Sequence, residues 1–189
     1  MKKIVLISLL IALSLIIYAS EIKNVILFIG DGMGESHVVA TSFIEGKELN
    51  MLQADFFGYV QTFSLNSKVT DSAAAATALA TSYKTNNGMI GMLPNDETIP
   101  NLTEILSRNG YKTGIVVTCR ITHATPAGFY GHVKSRDEEL RLAKQLVDSN
   151  LMVVFGGGAN YFEELQEDLK FNKNSIDFSN INGFKVNQK

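Results

Sequence analysis

The chain has 189 residues, 46% hydrophobic and 19% charged, with a formal net charge of −2, enough for one substantial core. Seventeen Lys and Arg against nineteen Asp and Glu leave no basic excess to neutralise a phosphate backbone, which argues against nucleic-acid binding. Fifteen Gly, three Pro and a single Cys exclude collagen-like and disulfide-stapled chains, because Cys119 has no intramolecular partner.

Lys2 and Lys3 lead into an unbroken apolar or small-residue run from Ile4 to Ala19, and polarity returns at Ser20-Glu21. The run is slightly longer than a secretory core of about 7–15 residues and shorter than the ~20 that span a bilayer. Residues 1–19 therefore read as a secretory signal, which puts residues 20–189 in the periplasm or outside the cell. Left uncleaved, the same segment would be a membrane anchor.

Val25-Ile26-Leu27-Phe28-Ile29 is continuously apolar and runs into Gly30-Asp31-Gly32-Met33-Gly34. This is the pattern of a central parallel strand, buried on both faces, that stops in a loop, with a helix starting near Glu35. Glu35 stands where a dinucleotide fingerprint needs its third glycine, and Asp31 would repel a pyrophosphate, so a nucleotide loop is set aside. Asp31 either holds an Asx-turn or presents a carboxylate to a divalent cation at the end of its strand.

The next change of texture is Val69-Thr70-Asp71-Ser72 followed by Ala73-Ala74-Ala75-Ala76, which marks a helix start. One reading is an ordinary N-cap with a small-residue packing face. The other puts the Ser72 hydroxyl at the positive end of the helix as a nucleophile beside bound phosphate. Neither a Gly-x-Ser-x-Gly elbow nor a Ser-His-Asp triad is indicated.

Asn101 and Glu104 form a capping pair before Leu102, Ile105 and Leu106, with Gly110 as terminator, so a short helix precedes a strand over Gly114 to Thr118. Ile121-Thr122-His123-Ala124-Thr125-Pro126-Ala127 follows. Read as extended, it puts His123 and Thr125 on one side, as a structural pair or as ligands of a hard ion. Arg136 heads the next helix, over Asp137 to Ser149, with Leu140, Ala143, Leu146 and Val147 as its stripe. Its guanidinium suits either phosphate oxygens or a surface pairing with Asp137 or Glu139. Leu151 to Phe155 is a second buried strand, and Gly156-Gly157-Gly158 is a tight turn into a helix rather than a P-loop, lacking the Lys-Ser/Thr. Glu163 to Lys170 reads as a surface helix, and an Asn-punctuated tail begins at Asn172. Alternating helix and strand over one folding unit, residues 22–160, predicts an α/β fold: a mostly parallel central sheet with helices on both faces.

Five segments, in order, resemble the alkaline phosphatase family: Gly30-Asp31-Gly32-Met33-Gly34, Thr70-Asp71-Ser72-Ala73-Ala74-Ala75-Ala76-Thr77-Ala78, Asn87-Gly88-Met89-Ile90-Gly91, His123-Ala124-Thr125-Pro126-Ala127 with Arg136, and the triple glycine before Tyr161-Phe162. The resemblance implies that residues 20–189 are the N-terminal portion of such a catalytic domain, incomplete as it stands. It implies hydrolysis of phosphate monoesters through a phosphoserine, with Zn2+ and Mg2+ as cofactors. Asp31 matches an aspartate shared by the magnesium site and one zinc site, Ser72 the nucleophile that also meets that zinc, and Thr125 a magnesium-site hydroxyl. His123 matches a position whose contact to the metal runs through water, and Arg136 matches the phosphate clamp, oriented by Asp71. The family's remaining zinc ligands lie beyond the triple glycine, and His37 and His132 fall in no ligand motif. The expectation is a fragment inactive alone, compatible with a homodimeric full-length parent. The alternative is a degenerate member that binds phosphate without catalysis.

Overall fold

The computed structural model describes residues 24–168. The signal assigned to residues 1–19 and the tail from Asn172 lie outside them. The chain divides at Gly30, with Asp31 opening the larger unit. Residues 24–30 carry no regular secondary structure, and Val25 and Phe28 are 84% and 88% exposed. The strand expected at Val25 to Ile29 is thus absent. A run apolar on both faces becomes a strand only where neighbouring strands and covering layers complete it.

The larger unit begins with helix α1, Glu35–Glu45, where the His37 Nδ1 accepts the Gly34 N–H at 3.2 Å and Gly46, at φ 61°, ends the helix in the left-handed region. A 3-10 turn over Asn50–Gln53 follows. Helix α2, Ser72–Thr81, starts where the alanine run predicts, with Asp71 as N-cap. Its buried residues Ala73, Ala74, Ala76 and Ala80 are the small face expected of it. They allow close approach: a Cβ on Gly128 would lie 2.6 Å from the Ala76 Cβ.

Helix α3, Leu102–Arg108, carries the reciprocal capping box read from sequence. Asn101 Oδ1 accepts the Glu104 N–H at 3.1 Å, Glu104 Oε2 accepts the Asn101 N–H at 2.9 Å, and Gly110 turns at φ 82°. Strand β1, Gly114–Arg120, runs two residues past expectation. It turns into a short helix α4, Ala124–Ala127, with His123 as its N-cap. The extended reading of residues 121–127 is therefore corrected. Pro126 falls in the first turn of α4, where N–H groups have no intrahelical acceptor and a missing one costs nothing.

Helix α5, Glu139–Val147, also starts later than expected. A turn built by Ser135 and Glu138, with the Glu138 N–H on the Ser135 carbonyl at 3.0 Å and the Ser135 N–H on Glu138 Oε1 at 2.9 Å, occupies the residues before it. Arg136 therefore lies in a turn. The buried stripe of α5 is Leu142, Ala143 and Leu146.

Strand β2, Val153–Gly157, pairs in parallel with β1, Gly114 opposite Val153 and Arg120 opposite Gly157, with a register shift between Val116 and Arg120. The first two glycines of the triplet thus belong to the strand. A Cβ on Gly156 would come within 2.8 Å of Val117 Cγ2, so glycine is what lets the strand close on β1. Gly158 alone turns, at φ 97°, into helix α6, Ala159–Asp168. Among the described residues, two parallel strands and six helices make a partial α/β fold. Its core joins Ala73, Ile90, Ile121, Ala124, Ala127, Tyr130, Val133, Leu142 and Leu146, with Ile115, Val117 and Val154 packed against them. Burial alternates along β1, and Val116 on its other face is 70% exposed. Among the described residues no helix is long and apolar enough to cross a membrane.

Candidate active site

Three of the residues singled out by sequence meet at one point. The Ser72 hydroxyl, at the first residue of α2, donates to Asp31 Oδ1 at 3.0 Å and lies 3.3 Å from Oδ2. The Thr125 hydroxyl, in α4, donates to Asp31 Oδ2 at 2.7 Å. Asp31 sits in a turn whose Gly32 takes φ 67°, a conformation that suits glycine. The hydroxyls of Thr125 and Ser72, with His123 and Arg136 nearby, outweigh desolvation and hold the Asp31 carboxyl below its usual range. It is thereby kept as a carboxylate acceptor.

Arg136 lies beside this group, and its sequence neighbours do not hold it. Its NH1 donates to Asp71 Oδ2 at 3.2 Å and its NH2 to His123 Nε2 at 3.2 Å. A guanidinium only donates, so His123 Nε2 accepts and the ring proton is on Nδ1, which is buried without a hydrogen-bond partner among the described residues. The pairing with Asp137 or Glu139 left open above is not formed by Arg136. Glu139 instead takes Arg120 in a bidentate pair, Nε to Oε2 at 3.0 Å and NH2 to Oε1 at 2.7 Å, together with the Thr122 hydroxyl at 2.6 Å.

Asp71 serves both sides of the site. Its Oδ1 caps α2 by accepting the Ala74 N–H at 2.9 Å, while Oδ2 accepts the Gly88 N–H at 3.0 Å as well as Arg136. Gly88 and its neighbour Asn87 had no role from sequence beyond belonging to a matching segment. Asn-Gly is a turn signal, but nothing local announces which strands of chain that turn will bridge.

Oxygens dominate the meeting point of Asp31, Ser72 and Thr125, and this is the donor set a hard divalent cation prefers. Among the described residues no three His, Cys, Asp or Glu side chains stand close enough to hold a metal. His37 and His132 are engaged elsewhere, the latter with the Gly91 carbonyl at 2.8 Å and Glu104 Oε1 at 3.1 Å. The Cys119 thiol is pushed up by burial, which keeps it a poor nucleophile.

The family model for alkaline phosphatase matches residues 22–179. Alkaline phosphatase 4 of Bacillus subtilis is 34% identical over 165 residues, covering 79% of this chain and 36% of the relative. The repressible alkaline phosphatase of Saccharomyces cerevisiae is 42% identical over 154 residues, 74% of this chain and 27% of the relative. The alkaline phosphatase of the Antarctic bacterium TAB5 superposes with a TM-score of 0.73 at 38% identity over 84% of this chain and 44% of its own. A variant of that enzyme with Mg bound gives the same TM-score and identity. The chain spans 36% and 27% of the two curated relatives named here. It belongs to the alkaline phosphatase family.

Proposed function

We propose that this chain supplies the nucleophile and the phosphate clamp of a phosphomonoesterase that works through a phosphoserine on Ser72. The observation that carries this reading is the convergence of the Ser72 and Thr125 hydroxyls on Asp31 beside an Arg136 that is itself held by Asp71. Ser72 Oγ attacks the phosphorus of a monoester as the bond to the alcohol oxygen breaks, and the alcohol leaves with a proton from solvent. Water then attacks the phosphoserine, which releases inorganic phosphate and restores the hydroxyl. The positive end of α2 and the Arg136 fork face the charge on the transferred group.

Asp31 is placed to receive the serine proton, yet the hydrogen bonds that keep it a carboxylate also make it a weak base. The Asp31, Ser72 and Thr125 oxygens fit Mg2+, and the Mg-bound TAB5 relative supports its use here. A divalent cation held there would supply the positive charge that eases ionisation of the hydroxyl. The described residues do not by themselves fit the His-rich environment zinc takes in hydrolases, and no step is assigned to zinc. That same shortage favours a second reading, in which the chain binds phosphate without turning it over.

A chimera decides between them. With residues 22–158 replacing the corresponding part of the Bacillus subtilis relative, hydrolysis of 4-nitrophenyl phosphate is expected, and Ser72→Ala should lower kcat by more than about 10³-fold. Equal turnover by the Ser72→Ala chimera would overturn the phosphoserine reading.

A further inference from the structure

We propose that the Asn87-Gly88 turn is the element that fixes the spacing between nucleophile and clamp, with Asn87 a positioning residue for Ser72 and Arg136. This deepens the phosphotransfer reading above and rests on it. The two residues form a bracket. Asn87 Oδ1 accepts the Asp71 N–H at 3.1 Å, and Asn87 Nδ2 donates to the Val69 carbonyl at 3.0 Å. One side-chain amide thus pins both ends of residues 69–71, immediately before Ser72, as a neighbouring strand would. Asn87 is anchored in turn by its own N–H, 2.9 Å from Asn66 Oδ1.

Gly88 continues the bracket to the clamp. Its N–H reaches Asp71 Oδ2 at 3.0 Å, and its carbonyl accepts the Arg136 backbone N–H at 2.7 Å. Arg136 is therefore tied to the turn twice, through its backbone to Gly88 and through NH1 to the carboxylate oxygen that Gly88 also holds. The ring closes only with Gly88 at φ 88°, which side chains rarely adopt. Behind it, Thr77 of α2 locks the same strap: its hydroxyl donates to the Met89 carbonyl at 3.3 Å and accepts the Gly91 N–H at 3.0 Å. Without the Asn87 amide, the Asp71 N–H and the Val69 carbonyl lose their partner. Asp71 can then turn its carboxylate away from Arg136 while α2 and the core stay intact.

Two variants of the 189-residue chain test this, Asn87→Ala and the nearly isosteric Asn87→Asp, which sets a carboxylate oxygen against the Val69 carbonyl. In both, amide exchange at Asp71 and Gly88 should accelerate by about tenfold, and the NMR signal of the Arg136 side chain should move. Exchange at Ile121 and Leu142 should stay unchanged, showing that the fold is intact. Inorganic phosphate, titrated in Mg2+, should bind about tenfold more weakly to Asn87→Ala, and Arg136→Ala should add little to that loss in the double variant. Unchanged Gly88 exchange and an unmoved Arg136 signal would overturn the positioning role. Failure of the unaltered chain to bind phosphate, with those NMR changes present, would count against the phosphotransfer reading instead.

Discussion

Thr125 donates its hydroxyl hydrogen to Asp31 Oδ2 at 2.7 Å across 94 positions of chain, and with Ser72 it turns one carboxylate into the meeting point of three segments. The contact is more than a stitch between loops, because each group brings an oxygen with lone pairs toward the same region. Mg2+ titrated into the chain should therefore shift the NMR signals of Ser72 and Thr125 before those of the core. Asp31→Asn preserves the shape and one hydroxyl contact while removing the charge, so it should weaken that binding by more than about tenfold. Equal Mg2+ affinity in the two chains would show that these oxygens do not form the cation's seat.

The closeness of α2 and α4 gives a stability prediction. A Cβ added to Gly128 would lie 2.6 Å from the Ala76 Cβ and 2.9 Å from the Ala76 carbonyl carbon, too near for either backbone to absorb without shifting. Gly128→Ala should destabilise the chain by about 1–3 kcal/mol, read from urea unfolding midpoints. The double variant Gly128→Ala/Ala76→Gly should recover part of that loss, since it removes the atom that is struck.

Local chemistry is what was legible in the sequence. Asn101 with Glu104, and Asp71 ahead of four alanines, announce helix starts within a few residues, and both form as read. Partners across the chain were harder. Adjacency offers Arg136 only Asp137 and Glu139, and it is the family resemblance that names Asp71, 65 positions away, as the carboxylate it meets. The extended reading of His123 and Thr125 continues the preceding strand, whereas the chain turns into a short helix there, with Pro126 in its first turn. Asn87 was missed as a site residue since its hydrogen bonds all go to segments that only the fold brings near. The apolar run at Val25 shows the opposite error, a strong local pattern without the neighbours that would make it a strand.

Acid should weaken the chain through Glu139. The Arg120 fork and the Thr122 hydroxyl outweigh desolvation and hold this carboxyl below the ordinary glutamate range. Its side chain is only 12% exposed. In the unfolded chain the same group takes up its proton at a higher pH, so between the two values the unfolded state binds more protons and stability falls as pH drops. The thermal midpoint should decline on acidification below the ordinary glutamate range. In Glu139→Gln that decline should be shallower, with the two chains converging at the acid end. Parallel curves would mean that the pair with Arg120 contributes nothing to the pH dependence.

Catalysis by the 189-residue chain alone is the sharper question, because the chain can be tested beside a chimera that carries a relative's C-terminal part. The chain brings together a hydroxyl, a carboxylate and a guanidinium, which can hold a phosphate and orient an attack. Ionising a serine hydroxyl near neutral pH needs more positive charge than a single guanidinium beside a carboxylate provides. The described residues offer no cluster of three His, Cys, Asp or Glu side chains to hold the metal charge that would supply it. With Zn2+ and Mg2+ supplied, the chain should hydrolyse 4-nitrophenyl phosphate no faster than its own Ser72→Ala variant, although it still binds phosphate. Once joined to the C-terminal part of the Bacillus subtilis relative, it should turn the ester over, and a chelator should stop it. Metal-stimulated hydrolysis by the unjoined chain, lost in Ser72→Ala, would mean that residues 1–189 already assemble a complete site.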